Sequence, residues 1–268
     1  MINPEEIANI ARAEESLWWF RGMRRISFAL LDPLVARARP RRILEAGCGA
    51  GFFAGALHER YQTPVVAVDL DREAVRHCRQ RRAPDPVQAS IVALPFADET
   101  FELVVSLDVL PHFPRGQEKK PFAELVRVLK PEGYLLIRAA ALEVFRSRHS
   151  QYVWERQRLT RKRLRRLARA NHLRIARLTY ANFLLTPAAF LKFRVWEPLA
   201  RRPPASGIAP VGWLLNGLLY LPLALERLWL QTGLGFPWGQ SLFLVAQKPR
   251  LRIPEFARQA VVGRKDQP

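Results

Sequence analysis

The segment Leu44-Glu45-Ala46-Gly47-Cys48-Gly49-Ala50-Gly51-Phe52 constrains this chain more than any other stretch. A short apolar run enters three alternating glycines and then becomes helical in pattern. Glycine lets the backbone turn tightly there and lets a ligand approach the main chain without a Cβ clash. From about residue 41, short β-branched runs alternate with helical stretches, which is the pattern of parallel β-α units. Strands are expected at 42–45, 64–69, 86–91, 101–107, 134–137, 173–180 and 241–246. Helices are expected from the Gly turn through Leu57, over 71–82, over 121–129 and from Thr160. Lys130-Pro131-Glu132-Gly133 stops the helix over 121–129. Thr160 reads as an N-cap, and Asn171 as the left-handed residue that closes that helix. Residues 181–238 are too long for a plain loop and should hold helices of their own.

Asp69 ends the second strand 22 residues after Gly47, where a carboxylate can grip ribose hydroxyls. A dinucleotide fingerprint would place a third glycine at the position of Phe52. The chain instead reads E-x-G-x-G-x-G, and this region resembles the class I S-adenosylmethionine-dependent methyltransferases. Ala93-Leu94-Pro95-Phe96-Ala97-Asp98-Glu99-Thr100-Phe101-Glu102 is similar to that family's segment entering strand four. Leu129-Lys130-Pro131-Glu132-Gly133-Tyr134 is similar to its turn into strand five. The resemblance covers about residues 40–140. Trp18-Trp19-Phe20, with Arg21 beside them, resembles a segment of family members associated with glycan and lipid pathways.

The resemblance implies an α/β fold: a doubly wound, mostly parallel seven-stranded sheet. Its last strand, matching Ser241–Ala246, would be antiparallel, with a helical insertion before it. It implies S-adenosylmethionine as cofactor, with Glu45, Gly47, Gly49 and Gly51 at its amino-acid end. Asp69 would take the ribose diol, and Leu70 or Phe96 would flank adenine. Phe96 has core packing as its plain alternative. Ser90 stands where many relatives carry an aspartate that contacts the adenine amino group. Asp108 and His112 follow strand four at the mouth of such a site and are the candidate proton acceptors. The five histidines show no ligand spacing with acids or cysteines, so no metal is expected.

The expected organisation is a helical, aromatic lid over 1–40 and a core over 41–180. An apolar, Trp-rich helical insertion over 181–238, a last strand over 239–250 and a tail over 251–268 follow. Two cysteines in 268 residues exclude a disulfide scaffold and a cysteine-rich zinc module, and free thiols fit a reducing cytosol. The N-terminus has no basic-then-apolar signal pattern.

Charge divides the chain. Residues 1–150 carry 22 Lys and Arg against 19 Asp and Glu, while 151–268 carry 21 against 5. A half-chain of net charge +16 should seek anionic surfaces, either lipid headgroups or nucleic acid. Residues 208–225 contain no charge, and Pro210 and Pro222 interrupt them. A helix there either caps the acceptor pocket with its apolar face inward or lies in a membrane interface. The expected enzyme therefore methylates a small or lipid-linked acceptor, cytoplasmic and peripheral at the membrane. The alternative is an RNA methyltransferase, or a basic nucleic-acid-binding protein, on the same fold.

Overall fold

The computed structural model describes residues 3–81, 85–201 and 203–250. The expected tail over 251–268 and Arg82, the last residue of the helix read over 71–82, lie outside the described residues. Two helices lead, α1 (Pro4–Ala13) and α2 (Trp18–Ala38). The alternating units follow as β1 (Ile43–Ala46), α3 (Phe52–Tyr61), β2 (Val65–Asp69), α4 (Arg72–Arg79) and β3 (Asp85–Gln88). Next come β4 (Phe101–Leu107), α5 (Lys119–Arg127), β5 (Leu129–Ala140), α6 (Arg148–Tyr152), α7 (Arg161–Ala170) and β6 (Arg174–Ala181). The insertion holds α8 (Thr186–Phe190), a π-helical turn (Leu191–Trp196), α9 (Glu197–Ala200) and α10 (Trp213–Gln231), before β7 (Ser241–Gln247).

The strands form one sheet in the order β3-β2-β1-β4-β5-β7-β6. Only β7 runs antiparallel, pairing with β5 on one side and β6 on the other. This is the expected doubly wound architecture. Every residue of β1 is buried, and so are the four valine and alanine residues of β2, as a parallel strand covered on both faces requires. The order reverses between β1 and β4, the switch point where open α/β sheets bind ligands.

Right-handed crossovers put α3 and α4 on one face of the sheet and α5 and α7 on the other. Helix α2 joins the α3 face: Phe28 stacks on Phe53 at 5.3 Å between centroids, and Arg60 bridges Asp32 at 2.7 Å. Helix α10 packs along α2. The Asn216 side chain accepts from Trp18 N at 2.7 Å and donates to Ser16 O at 2.9 Å, tying α10 to the start of α2.

Some local readings change. Asn171 does not close α7 in the left-handed region: its φ is −105°, and His172 takes that conformation at φ 56°. Asn171 instead donates from Nδ2 to Leu167 O at 2.9 Å, using its amide as the cap. Strand β5 begins at Leu129, ahead of the turn residues. Lys130–Gly133 form an irregularity within the strand, with Glu132 at φ 64°. The reading of 208–225 as an inward-facing cap is overturned. Leu223, Glu226 and Leu230 are the buried positions of α10, while Leu214, Leu218, Leu221, Leu225 and Leu228 are exposed.

Helix α7 carries its cations on the face opposite to α10. Lys162, Arg165, Arg166 and Arg169 are exposed there. Arg163 is not part of that charged surface: it forks onto the buried Glu118 carboxylate at 2.9 and 2.7 Å.

Candidate functional site

The three glycines of the turn have different duties. Gly47 and Cys48 donate their N–H groups to Val68 O at 2.7 and 2.9 Å, which clips the turn to β2. Gly47 sits at φ 85°, and a Cβ there would lie 2.1 Å from Cγ2 of Val109. Gly51 sits at φ 83°, and a Cβ there would lie 2.4 Å from the Cys78 sulfur. Packing therefore demands glycine at both positions. Gly49, at φ 52°, is different: nothing lies within 4 Å of where its Cβ would stand. That open space over a bare main chain is where a ligand can come close.

Asp69 closes the other side. One carboxylate oxygen accepts from Gly49 N at 2.9 Å and the other from Asp71 N at 2.9 Å. Burial pushes its pKa up, and these N–H groups pull it back. Each oxygen keeps a lone pair for an incoming hydroxyl. Leu70 follows, about half exposed. Ser90 stands two residues beyond β3, whose Gln88 pairs with Asp69, so it lies at the same edge as Leu70. Its hydroxyl accepts from Val92 N at 3.4 Å.

Glu45 is the telling residue. It is 2% exposed, and its Oε2 has no hydrogen-bond partner. Burial pushes its carboxyl well above the usual range, and Arg138 works against that rise. A buried carboxyl with an unpaired oxygen is unfavourable unless a donor, ideally a cation, meets it. An amine-bearing ligand lying over Gly49 and Asp69 would supply one. The donor set thus fits the amino-acid and ribose parts of S-adenosylmethionine.

The structure does not bring Phe96 to this place. Its ring packs edge-on to Phe101 at 5.1 Å, and Phe101 is the first residue of β4. The Gly turn and Asp108 lie at the other end of the strands, about 20 Å away at ~3.3 Å per residue. Phe96 is core packing at the base of the sheet.

Asp108, just after β4, has φ 59° and pairs with Arg138 of β5 at 2.6 Å. The Arg138 guanidinium in turn lies over the Trp19 ring at 5.1 Å. Arg138 was absent from the residues singled out in the sequence. The available signal was a lone charge inside the apolar run Tyr134–Ala141. His112 sits on a 3-10 turn over Leu110–His112, and its Nδ1 is buried without a partner. Burial holds the imidazole below its usual pKa, with Asp108 pulling the other way.

Helix α1 is tied to α6 and to the end of α4. Tyr152 of α6 donates to Glu5 at 2.7 Å, His149 of α6 lies 3.5 Å from Glu6, and Arg81 just past α4 meets Glu14 at 2.8 Å. Burial pushes the Glu14 carboxyl up to about 7 despite Arg81. A carboxyl raised on folding binds protons more tightly in the folded state, so its contribution to stability is greatest below the unfolded pKa. That contribution is lost as pH rises from about 4.5 to about 7. Hydrogen exchange of α1 amides should therefore speed up over that window relative to the sheet. Glu14→Gln should flatten the dependence; an unchanged pH profile in that variant would remove Glu14 as its source.

No group of His, Cys, Asp and Glu suited to a metal ion occurs among the described residues. Both cysteines are buried and unpaired.

Residues 44–137 match the family model described as a methyltransferase domain. A phthiotriol/phenolphthiotriol dimycocerosates methyltransferase of Mycobacterium ulcerans is 36% identical over 106 residues, covering 36% of each chain. A fatty-acid O-methyltransferase of Mycolicibacterium smegmatis is 31% identical over 140 residues, covering 50% of this chain and 48% of the relative. The chain thus spans less than half the length of these curated relatives. Geranyl diphosphate C-methyltransferase from Streptomyces coelicolor shares the fold, with a TM-score of 0.52 at 15% identity over 78% of this chain and 72% of that one.

Proposed function

On the premise that residues 44–137 form a methyltransferase domain of the class I, S-adenosylmethionine-dependent kind, we propose that the protein methylates a small or lipid-linked acceptor at a membrane surface. The observation that carries the reading is the unpaired buried Glu45 oxygen beside the open face of Gly49 and the Asp69 carboxylate. In this reading 1–40 form the lid, 41–180 the core, 181–238 the insertion and 239–250 the closing strand.

S-adenosylmethionine supplies a methyl group already activated by its sulfonium charge, so the protein's task is positioning. Glu45 holds the amine. Asp69 accepts from the ribose hydroxyls, and its bonds from Gly49 and Asp71 keep it aimed. Leu70 and Ser90 border the adenine. Arg138 holds the Asp108 carboxylate in place through their ion pair. The half-buried His112 imidazole accepts the proton that a hydroxyl or amine acceptor must release. Lipid-related names among the relatives support the acceptor class.

The test is transfer of labelled methyl from S-adenosylmethionine to a membrane lipid extract and, in parallel, to total RNA. Label should enter the organic phase. His112→Ala should lower that rate about 10²-fold, within the range of general-base effects, and leave cofactor affinity within a few-fold. Because burial lowers the His112 pKa, the wild-type rate should stay level down to below the pH of an ordinary histidine and then fall. Unchanged turnover in His112→Ala and Asp108→Asn would make both residues structural. The exposed cations of α7 favour RNA as the second reading, and label in the RNA fraction alone would establish it.

A further inference from the structure

Helix α10 is amphipathic in the inverse sense for a helix on a folded domain. Asn216, Tyr220 and Glu226 face the protein. Asn216 caps the start of α2, and Tyr220 lies under Arg21 and Arg25 of α2, with the Arg21 guanidinium 4.8 Å from its ring centroid. Glu226 is fully buried and accepts from Asn182 N at 2.6 Å and Leu184 N at 2.8 Å. The leucines face out at four- and three-residue spacing, with Leu218, Leu221 and Leu225 between 56% and 64% exposed.

The helical stretch 186–200 repeats this arrangement. It starts at the same anchor, since Glu226 holds the backbone that leads into α8. It packs toward α6, where Arg148 N donates to Glu197 at 2.8 Å. Leu191, Val195, Trp196 and Leu199 stand out from it, up to 75% exposed. Exposed Lys192, Arg194 and Arg201 are interleaved with them or follow them. Both elements end by the C-terminal edge of the sheet. The first turn of α10 is tied to Ser16 and Trp18 at the start of α2, and 186–200 reaches α6, which follows β5.

We propose that α10 and 186–200 together seat the protein on an anionic bilayer beside the site, so that a lipid acceptor reaches Asp108 and His112 from the membrane side. The naming of that acceptor rests on the methyltransferase reading; the docking does not. A bilayer fits for three reasons. First, no described helix is long and apolar enough to cross a membrane, so the apolar faces would lie in the interface. Second, exposed Trp196, Trp213, Trp229 and Trp238 suit that depth, and the interleaved cations suit acidic headgroups. Third, a helix–helix seam would have charges flanking the leucine stripe, whereas Leu215, Gly217, Pro222 and Ala224 flank this one. Two copies meeting here would also bring like cations together in a chain of net charge +19. The cations of α7, on the other face of the sheet, play no part.

Sedimentation with vesicles of equimolar phosphatidylcholine and phosphatidylglycerol tests this. The wild-type chain should bind, more weakly but measurably as salt rises. Leu218→Asp with Leu225→Asp should lower partitioning at least about tenfold, since two exposed leucines no longer insert. Arg165→Glu with Arg166→Glu on α7 should stay within about twofold, because distant charges are screened. Cofactor affinity should be unchanged in both, which shows that they are folded and keeps failure of docking separate from failure of the enzyme reading. Equal binding by the leucine variant would overturn the proposal. So would loss of binding in the α7 variant alone, or a wild-type dimer that the leucine variant dissociates.

Discussion

Gly49→Val is expected to abolish S-adenosylmethionine binding while the protein stays folded. Nothing stands within 4 Å of the Gly49 Cβ position, so the side chain meets no protein atom there and enters the space the cofactor needs. The residue must keep φ near 52°, which costs a β-branched side chain about 1–2 kcal/mol. That is a Tm shift of a few degrees in a chain of this size. The affinity loss should exceed about 100-fold, because the cofactor can no longer lie against the main chain. Gly51→Val should do the reverse of this separation. Its Cβ would sit 2.4 Å from the Cys78 sulfur, and Cys78 is fully buried, so the fold itself fails. Thermal melts and cofactor titrations of the pair check the contrast. A folded Gly49→Val that binds with native affinity would show that the open face is not the cofactor's place.

Asp69→Ala should weaken cofactor binding by about 1.5–3 kcal/mol, the scale of losing charge-assisted hydrogen bonds. Part of the loss comes from the protein rather than from the ribose. Gly49 N and Asp71 N both lose their acceptor, so the turn that cradles the ligand loosens. Asp69→Asn separates the two contributions. Its single amide oxygen can keep one N–H bond, but the charge is gone. Affinity between those of the wild type and the alanine variant is expected by calorimetry. Asn binding as tightly as Asp would remove the carboxylate's charge from the account.

The central sheet was legible because its signals are local. Strands buried on both faces must be apolar, glycines stand where positive φ and close packing leave no room for a Cβ, as at Gly47 and Gly51, and an acid at the end of β2 is fixed by the strand's own length. The path of the loop between β3 and β4 was not. Leu94-Pro95-Phe96 runs from one end of the sheet to the other, and only the fold shows that Phe96 has travelled back to Phe101 before β4 begins. The insertion shows a related gap. A helical wheel groups Asn216, Tyr220 and Arg227 on one side, yet it is silent on which side meets the protein. The answer depends on α2, whose unpaired first N–H and cluster of arginines provide the partners for Asn216 and Tyr220. Arg density on α7 likewise gives total charge and not its use: Arg163 is a strut to Glu118 and Arg161 donates to Phe236 O, while Lys162, Arg165, Arg166 and Arg169 are exposed. Arg138 went unnoticed because a single charge in an apolar strand carries no spacing pattern. Its meaning lies in Asp108, Glu45 and Trp19, which only the sheet brings around it.

The most direct test is calorimetric titration of the wild-type chain with S-adenosylmethionine and with its demethylated product. Saturable one-to-one binding of both is expected, lost in Gly49→Val and weakened in Asp69→Ala. No heat with either ligand, together with tight binding of a nicotinamide dinucleotide, would contradict it.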